Sequence, residues 1–582
     1  MLKLNVLTSL FLAVQHVSCH QTCAFYPRST VDGPGTARVA DKCTYAVRND
    51  LYITPGCARH SQDAIQSPFM CADESAAFQC LKASGRPQEV LGQPADQAHG
   101  TTPPPPLEVE SLIVSGPAEN RIDLVFFSDG YLPEERGKFL DDAMRLAQDI
   151  SGNQTFNTVK PLLNFWAAFS PSNESGIGVG GVPKDTPFGL YRDGTELRGV
   201  YYDKPDAAAA ACSSLGVQCD YPILLGNDPL YGGLGGRFTV ITSSLENGPL
   251  VLRHELGHSI INVGEEYDGG FAYFGPNAAT NLEEPLPWTQ WLTKPNDTHV
   301  QRSVMPFQVY PWTILNTTTP WSLNFTSSGT FSRHLIRFSL SGLPEASDLK
   351  VELDGTDLKW TPRKDIGVDR WHYDVHRNSS LSGGIHEVKF TLLNKDRQGV
   401  AQLCSAESLE FGDESEFVST PGYYGIYPTY SETNETSYRP TNEDCLMRVV
   451  TTPNFCKACI EGLWLALLRK VNLIDSITDT CETVDDRAIR FLHANLVPLA
   501  HLRQDTGGSS IPAETYKITW RKDGKELSEF ANMTIIGIED SVALGNYTVE
   551  AAFSTEEVRV DKDGLLTKSA NHTIASSCSP ST

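Results

Sequence analysis

His254 and His258 stand four residues apart in Arg253-His-Glu-Leu-Gly-His-Ser-Ile-Ile261, and Glu255 directly follows the first of them. On an α-helix, side chains four apart leave the same face about one turn from each other, so both imidazoles can grip one metal ion. In this H-E-x-x-H arrangement the metal that suits the pair is zinc. The glutamate would then be the general base that takes a proton from water while the metal polarises a peptide carbonyl. Composition alone would yield such a pentad only about 0.02 times in a chain of this length. A solvated amphipathic helix with incidental histidines would leave the fitting flanks unexplained.

Those flanks specify how the pair must be held. Leu250, Val251, Leu252, Leu256, Ile260 and Ile261 surround it with apolar residues, which predicts a core helix under the floor of a cleft. Gly264 offers a left-handed exit that would turn Glu265 and Glu266 back toward the metal. Spacing favours Glu265 as third ligand, with Glu266 as the alternative; the other role open to Glu266 is a hydrogen bond to a ligand imidazole.

Upstream, Ile122–Phe127 reads as a buried strand ended by Ser128-Asp-Gly130, and Pro133–Ile150 as a helix. Tyr221–Leu225 and Phe238–Thr242 read as two further strands, with the glycine-rich stretch Asn227–Gly236 between them. No Lys-Ser/Thr follows those glycines and a strand comes next, which argues against a phosphate cradle. Glycines also let another backbone come close. Residues 234–242 are therefore the expected cleft-edge strand, where an extended substrate could pair.

His-Glu-x-Gly-His-Ser at 254–259, followed by Glu265-Glu266-Tyr267, resembles the IgA peptidase family of zinc metallopeptidases, a metzincin-related group. Arg121–Tyr131, Asn227–Gly236, Tyr438-Arg-Pro440, Cys445–Arg448 and Phe455–Cys459 resemble other family segments, so the likeness spans roughly residues 118–275 and 415–472. The substrate in the family's name belongs to one member and is not carried over. The resemblance implies a zincin-like α/β catalytic domain, zinc as cofactor and proteins or peptides as substrates. It also implies a Met-turn at Met447, rather than at Met305, before a last helix at Ile460–Lys470. A phenol from Tyr423, Tyr424, Tyr427 or Tyr438 could stabilise an oxyanion.

An excess of 71 acidic over 47 basic residues gives a net charge of −24, which argues against nucleic acid or an anionic membrane as partner. Residues 1–19 carry a lysine and then an apolar stretch, the pattern of a signal peptide, so the mature chain is expected to be secreted. No later apolar run is long enough for a transmembrane helix. Sequons at Asn153, Asn173, Asn296, Asn316, Asn324, Asn378, Asn434, Asn532, Asn546 and Asn571 suit a secretory glycoprotein. In that setting the 14 cysteines should mostly pair: Cys212 with Cys219 across a local loop, and Cys456 and Cys459 in disulfides with Cys445 and Cys481 as possible partners.

The chain then divides into a signal peptide (1–19), a Cys-rich segment ending in the spacer Pro103–Pro106 (20–106), a first catalytic part (107–332) and an inserted β-sandwich (333–410). The catalytic part resumes with the Met-turn and last helix (411–478), and a second, immunoglobulin-like sandwich follows (479–582), with Glu557–Val560 among its expected strands. The histidines of the insert, His334, His372, His376 and His386, lack tight ligand spacing and read as sheet-surface residues. The expected function is secreted zinc endopeptidase. The alternatives are an inactive binding module that keeps the fold and a zinc hydrolase of non-peptide amides; an intact Glu255 disfavours the first of these.

Overall fold

The computed structural model describes residues 46–48, 51–53, 102–152, 154–503 and 512–578. The expected signal peptide, Cys23, Cys43, Cys57, Cys71, Cys80 and the Asn153 sequon lie outside the described residues. Before the spacer a short hairpin pairs Ala46–Arg48 with Leu51–Ile53. Pro103–Pro106 has no regular structure and is largely exposed.

Six strands form the sheet that carries the site. Their order is Glu108–Ile113, Leu163–Phe169, Ile122–Asp129, Tyr221–Gly226, Thr239–Thr242 and Gly233–Leu234, with antiparallel pairing at the two ends and parallel pairing between. The run Ile122–Asp129 is apolar without alternation because both faces of its strand are covered. Ile122, Leu124 and Phe126 enter one core with the helix Arg136–Gly152, while Val125 and Phe127 enter another with the helix Pro205–Ser214. The site helix joins the first core through Val251, Leu252 and Leu256. Thr239–Thr242 thus lies one strand in from the edge; the outermost strand is Gly233–Leu234, which corrects the expected edge at 234–242.

The inserted sandwich begins earlier than position 333. Ser303–Val309, Gln402–Phe411, Arg333–Ser341 and Trp371–Arg377 form one antiparallel sheet, with Thr313–Ile314 also on the Gln402–Phe411 strand. The facing sheet runs Trp321–Ser327, Gly384–Leu392, Leu349–Leu353, Thr356–Asp357. Phe307, Phe325, Phe338, Trp360 and Phe390 fill the space between them. The strands at 303–327 carry prolines and sequons, which hid their alternation.

Behind the last helix, Lys457–Leu468, stands the C-terminal pair of antiparallel sheets, three-stranded from Ile474 and four-stranded from Glu514. Glu557–Val560, expected as a strand, is a connection that docks on this helix: Glu461 accepts from the backbone of Arg559 and Val560 at 2.7 and 2.9 Å. Trp464 stacks 5.3 Å from Phe553 and donates to Glu557 at 2.6 Å. This sandwich is therefore packed into the main core. Among the described residues, no helix is long and apolar enough to cross a membrane.

Candidate metal centre

The site helix starts where Pro249 occupies the first turn, a position that needs no amide hydrogen. Before it, Asn247 donates from Nδ2 to Asp369 at 2.8 Å and to the Arg370 carbonyl at 2.9 Å, and Ser244 Oγ donates to the same carboxylate at 2.8 Å. The other oxygen of Asp369 accepts from the Tyr231 amide at 2.6 Å. One buried carboxylate of the inserted sandwich thus pins both the helix start and the glycine-rich segment.

The helix is α-helical over Gly248–Leu256 and widens into a π-turn over Gly257–Ile261. The left-handed exit residue is Asn262, at φ 61°, and not Gly264. Asparagine tolerates that conformation because its short polar side chain can bond locally. Gly264 is needed for closeness instead: a Cβ there would stand 2.3 Å from the Ala272 carbonyl oxygen. Met447 is fully buried under the helix, and a Cβ on Gly257 would lie 3.1 Å from its sulfur.

His254 Nε2 and His258 Nε2 are 3.2 Å apart, and the Glu265 carboxylate approaches them at 3.3 and 3.0 Å, one oxygen to each. The rings are aimed from behind: His258 Nδ1 faces the Val263 carbonyl at 2.8 Å and His254 Nδ1 the Leu446 carbonyl at 3.3 Å. The loop is fixed by consecutive backbone bonds, Gly264 to Phe274 at 2.8 Å, Glu265 to Ala272 at 2.7 Å and Glu266 to Met447 at 3.0 Å. Burial works against charge on His258, but Glu265 outweighs it and holds the imidazole up at about 9. Burial likewise opposes ionisation of Glu265, yet the two histidines keep its carboxyl well below the usual range.

Glu255 lies on the same helix beside this triangle. Burial raises its carboxyl above the ordinary value, with His254 and His258 pulling the other way. The glycine-rich segment passes directly over it: a Cβ on Gly235 would stand 2.6 Å from Glu255 Oε2 and 3.6 Å from the His258 ring. That closeness is why a side chain is missing there.

Glu266 is not at the triangle, and it bonds no ligand imidazole. Its side chain points to the other side of the loop, taking a hydrogen bond from Asn277 at 2.9 Å and facing Cys445, Cys456 and Cys459. Burial holds its carboxyl well above the ordinary range. Those three cysteines are unpaired, contrary to the expected disulfides, and Cys481 pairs with Cys578; Cys212 and Cys219 do bond to each other.

The phenols of Tyr424 and Tyr427 are engaged elsewhere, the first accepting from the Lys457 amide at 2.7 Å and the second donating to the Val418 carbonyl at 2.6 Å. Burial raises the phenol of Tyr231, which sequence reading passed over, with Arg370 lowering it and Glu255 raising it. His334 and His386 are buried rather than surface residues, bonded to Ser379 and to Asp354 and Ser382. No local pattern marks Asp369, because its partners lie more than a hundred residues away in sequence.

Residues 111–321 match the IgA peptidase M64 family model, a stretch that contains the strands, the glycine-rich edge, the site helix and Glu265. Over that stretch the chain is similar to the IgA peptidase M64 family. That family is described as a peptidase family. It stops short of residues 415–472, where the sequence likeness was also drawn. No curated protein matches the chain. Solved structures similar to parts of it include the exo-β-D-glucosaminidase CsxA (9% identity, TM-score 0.13, 44% of this chain and 25% of that one). Others are an FMN-binding β-glucuronidase from Facaelibacterium prausnitzii (13%, 0.12, 45% and 33%) and a β-D-glucuronidase from Dictyoglomus thermophilum (8%, 0.10, 44% and 36%). The chain spans about a third or less of those proteins' length, and likeness this slight carries no argument.

Proposed function

We propose that this M64 protein is a secreted zinc endopeptidase with a zincin-like catalytic domain, in which His254, His258 and Glu265 hold the metal and Glu255 is the general base. The observation that carries the reading is the triangle of donor atoms, with contacts of 3.2, 3.3 and 3.0 Å. Zinc bound to nitrogen and oxygen at about 2.0–2.1 Å in a tetrahedron needs ligand atoms roughly 3.3–3.4 Å apart, so the donor set fits the ion without rearrangement. When bound, zinc supplies Lewis acidity that polarises the scissile carbonyl and lets water ionise near neutral pH.

The chain's own residues do the rest. Glu255 Oε2 takes the proton from the attacking water and delivers it to the leaving amine, a task helped by burial that makes the carboxylate more basic. The carbonyls of Val263 and Leu446 fix the proton on each Nδ1, which leaves both Nε2 lone pairs free for the metal. Gly233–Leu234, the open edge of the sheet, offers backbone partners to an extended peptide. Secretion and glycosylation are supported by the leader-like start and by eight sequon asparagines that lie exposed, Asn173, Asn296, Asn324, Asn378, Asn434, Asn532, Asn546 and Asn571.

The test is digestion of a broad peptide library by the glycosylated protein and its Glu255→Gln variant. The amide keeps shape but cannot accept the proton, so turnover should fall at least about 10²-fold with zinc retained. Equal turnover in the two proteins would remove Glu255 from the mechanism.

A further inference from the structure

Behind the loop that carries Glu265 sits a second convergence of donor atoms. Glu266, Cys445, Cys456 and Cys459 are each at most 1% exposed, and their ligand atoms all lie within 4.8 Å of one another. Cys445 Sγ and Cys459 Sγ are 3.8 Å apart. A disulfide would bring them to about 2.05 Å. Two thiolates on one tetrahedral zinc, each at about 2.3 Å, stand about 3.8 Å apart by geometry. Glu266 adds an independent sign, since its Oε1 accepts from Asn277 while its buried Oε2 has no hydrogen-bond partner. A carboxylate oxygen left so in a protein interior is costly unless a cation meets it.

We propose that these four residues form a second, structural metal site for a thiophilic divalent cation of the zinc class. Three sulfurs and one oxygen suit zinc, whereas calcium and magnesium take oxygen ligands. Binding displaces the thiol protons and that of Glu266 to solvent, and the buried Arg439 guanidinium favours the charged carboxylate of Glu266. Cys456 and Cys459 also lie at the start of the helix Lys457–Leu468, whose amide ends favour thiolate. The ion would join three segments that shape the first site: the loop through Glu266, the turn of Met447 through Cys445, and the last helix through Cys459. The site stands on its own atoms and does not rest on the peptidase reading.

The experiment uses the full glycosylated chain. Metal analysis should give about two zinc per chain in the wild type and about one in His258→Ala, which isolates this site from the other. Cobalt(II) exchanged into His258→Ala should show the near-ultraviolet thiolate-to-cobalt charge-transfer band. Alkylation in denaturant with chelator and no reductant should label Cys445, Cys456 and Cys459 alike. A disulfide between any two of them, or a metal-free His258→Ala protein without the cobalt band, overturns the proposal. Since these readouts need no Cys or Glu266 variant to fold, they decide it whatever such variants do, and none of them depends on peptidase activity.

Discussion

Asp369→Ala removes a single carboxylate of the inserted sandwich that accepts from Tyr231 N at 2.6 Å and from Ser244 Oγ and Asn247 Nδ2 at 2.8 Å each. Ser244, Asn247 and Asp369 are all buried, so bulk water does not replace the lost acceptor. At about 1.5–3 kcal/mol for each hydrogen bond to a charged group, three such bonds represent roughly 4.5–9 kcal/mol. Asn247 keeps its bond to the Arg370 carbonyl at 2.9 Å, and water entering the vacated space recovers a further part, which brings the expected loss to about 3–5 kcal/mol. Asp369→Asn keeps the acceptor for Tyr231 but turns an amide toward two donors, so a loss of about 1–3 kcal/mol is expected. Urea unfolding gives the stability change. Hydrogen exchange over residues 244–256 should show faster opening of the site-helix start, with zinc bound less tightly. An Asp369→Ala protein with unchanged exchange there and an unchanged unfolding midpoint would refute the argument that the insert braces the site.

Other substitutions probe the site directly. Gly235→Ala places a methyl 2.6 Å from Glu255 Oε2, so the base must swing aside; turnover should drop by about 10- to 100-fold at constant zinc content, and unchanged turnover would mean the segment does not crowd the base. In Glu265→Gln a neutral amide replaces the carboxylate that both histidines face, so chelator competition should release one metal equivalent far more easily, and wild-type retention would assign the third ligand elsewhere. Burial, together with Arg370 and Arg337, holds His372 well below the ordinary imidazole value. Its folded pKa is the depressed one, so the unfolded chain takes the proton first: the neutral imidazole is fully tolerated above about pH 6.5, and stability falls as pH drops from there, by up to about 1.4 kcal/mol per pH unit. His372→Gln should flatten that slope in unfolding curves between pH 7.5 and 5, and an equally steep slope in the variant would exonerate the histidine.

What the sequence by itself determined is whatever depends on short-range periodicity. The four-residue step from His254 to His258 sets both imidazoles on one face, and the apolar residues around them bury that helix whatever surrounds it. The strands Ile122–Asp129 and Tyr221–Gly226 were legible as short apolar runs, the first of them ended by turn residues. The choice between Glu265 and Glu266 was not legible, because neighbouring residues on a loop differ only in which way the backbone turns them. Bonds to Ala272, Phe274 and Met447 make that decision, and they point one carboxylate at the histidines and the next at three cysteines. The expected secretory setting also suggested disulfides for Cys456 and Cys459, with Cys445 and Cys481 as possible partners, whereas packing of the last helix against the Met447 turn gathers them with Cys445 and Glu266 instead. Asp369 and Gly235 acquire their roles only when distant segments meet, since a hydrogen bond or a steric contact across the fold leaves no periodic trace in the chain that makes it.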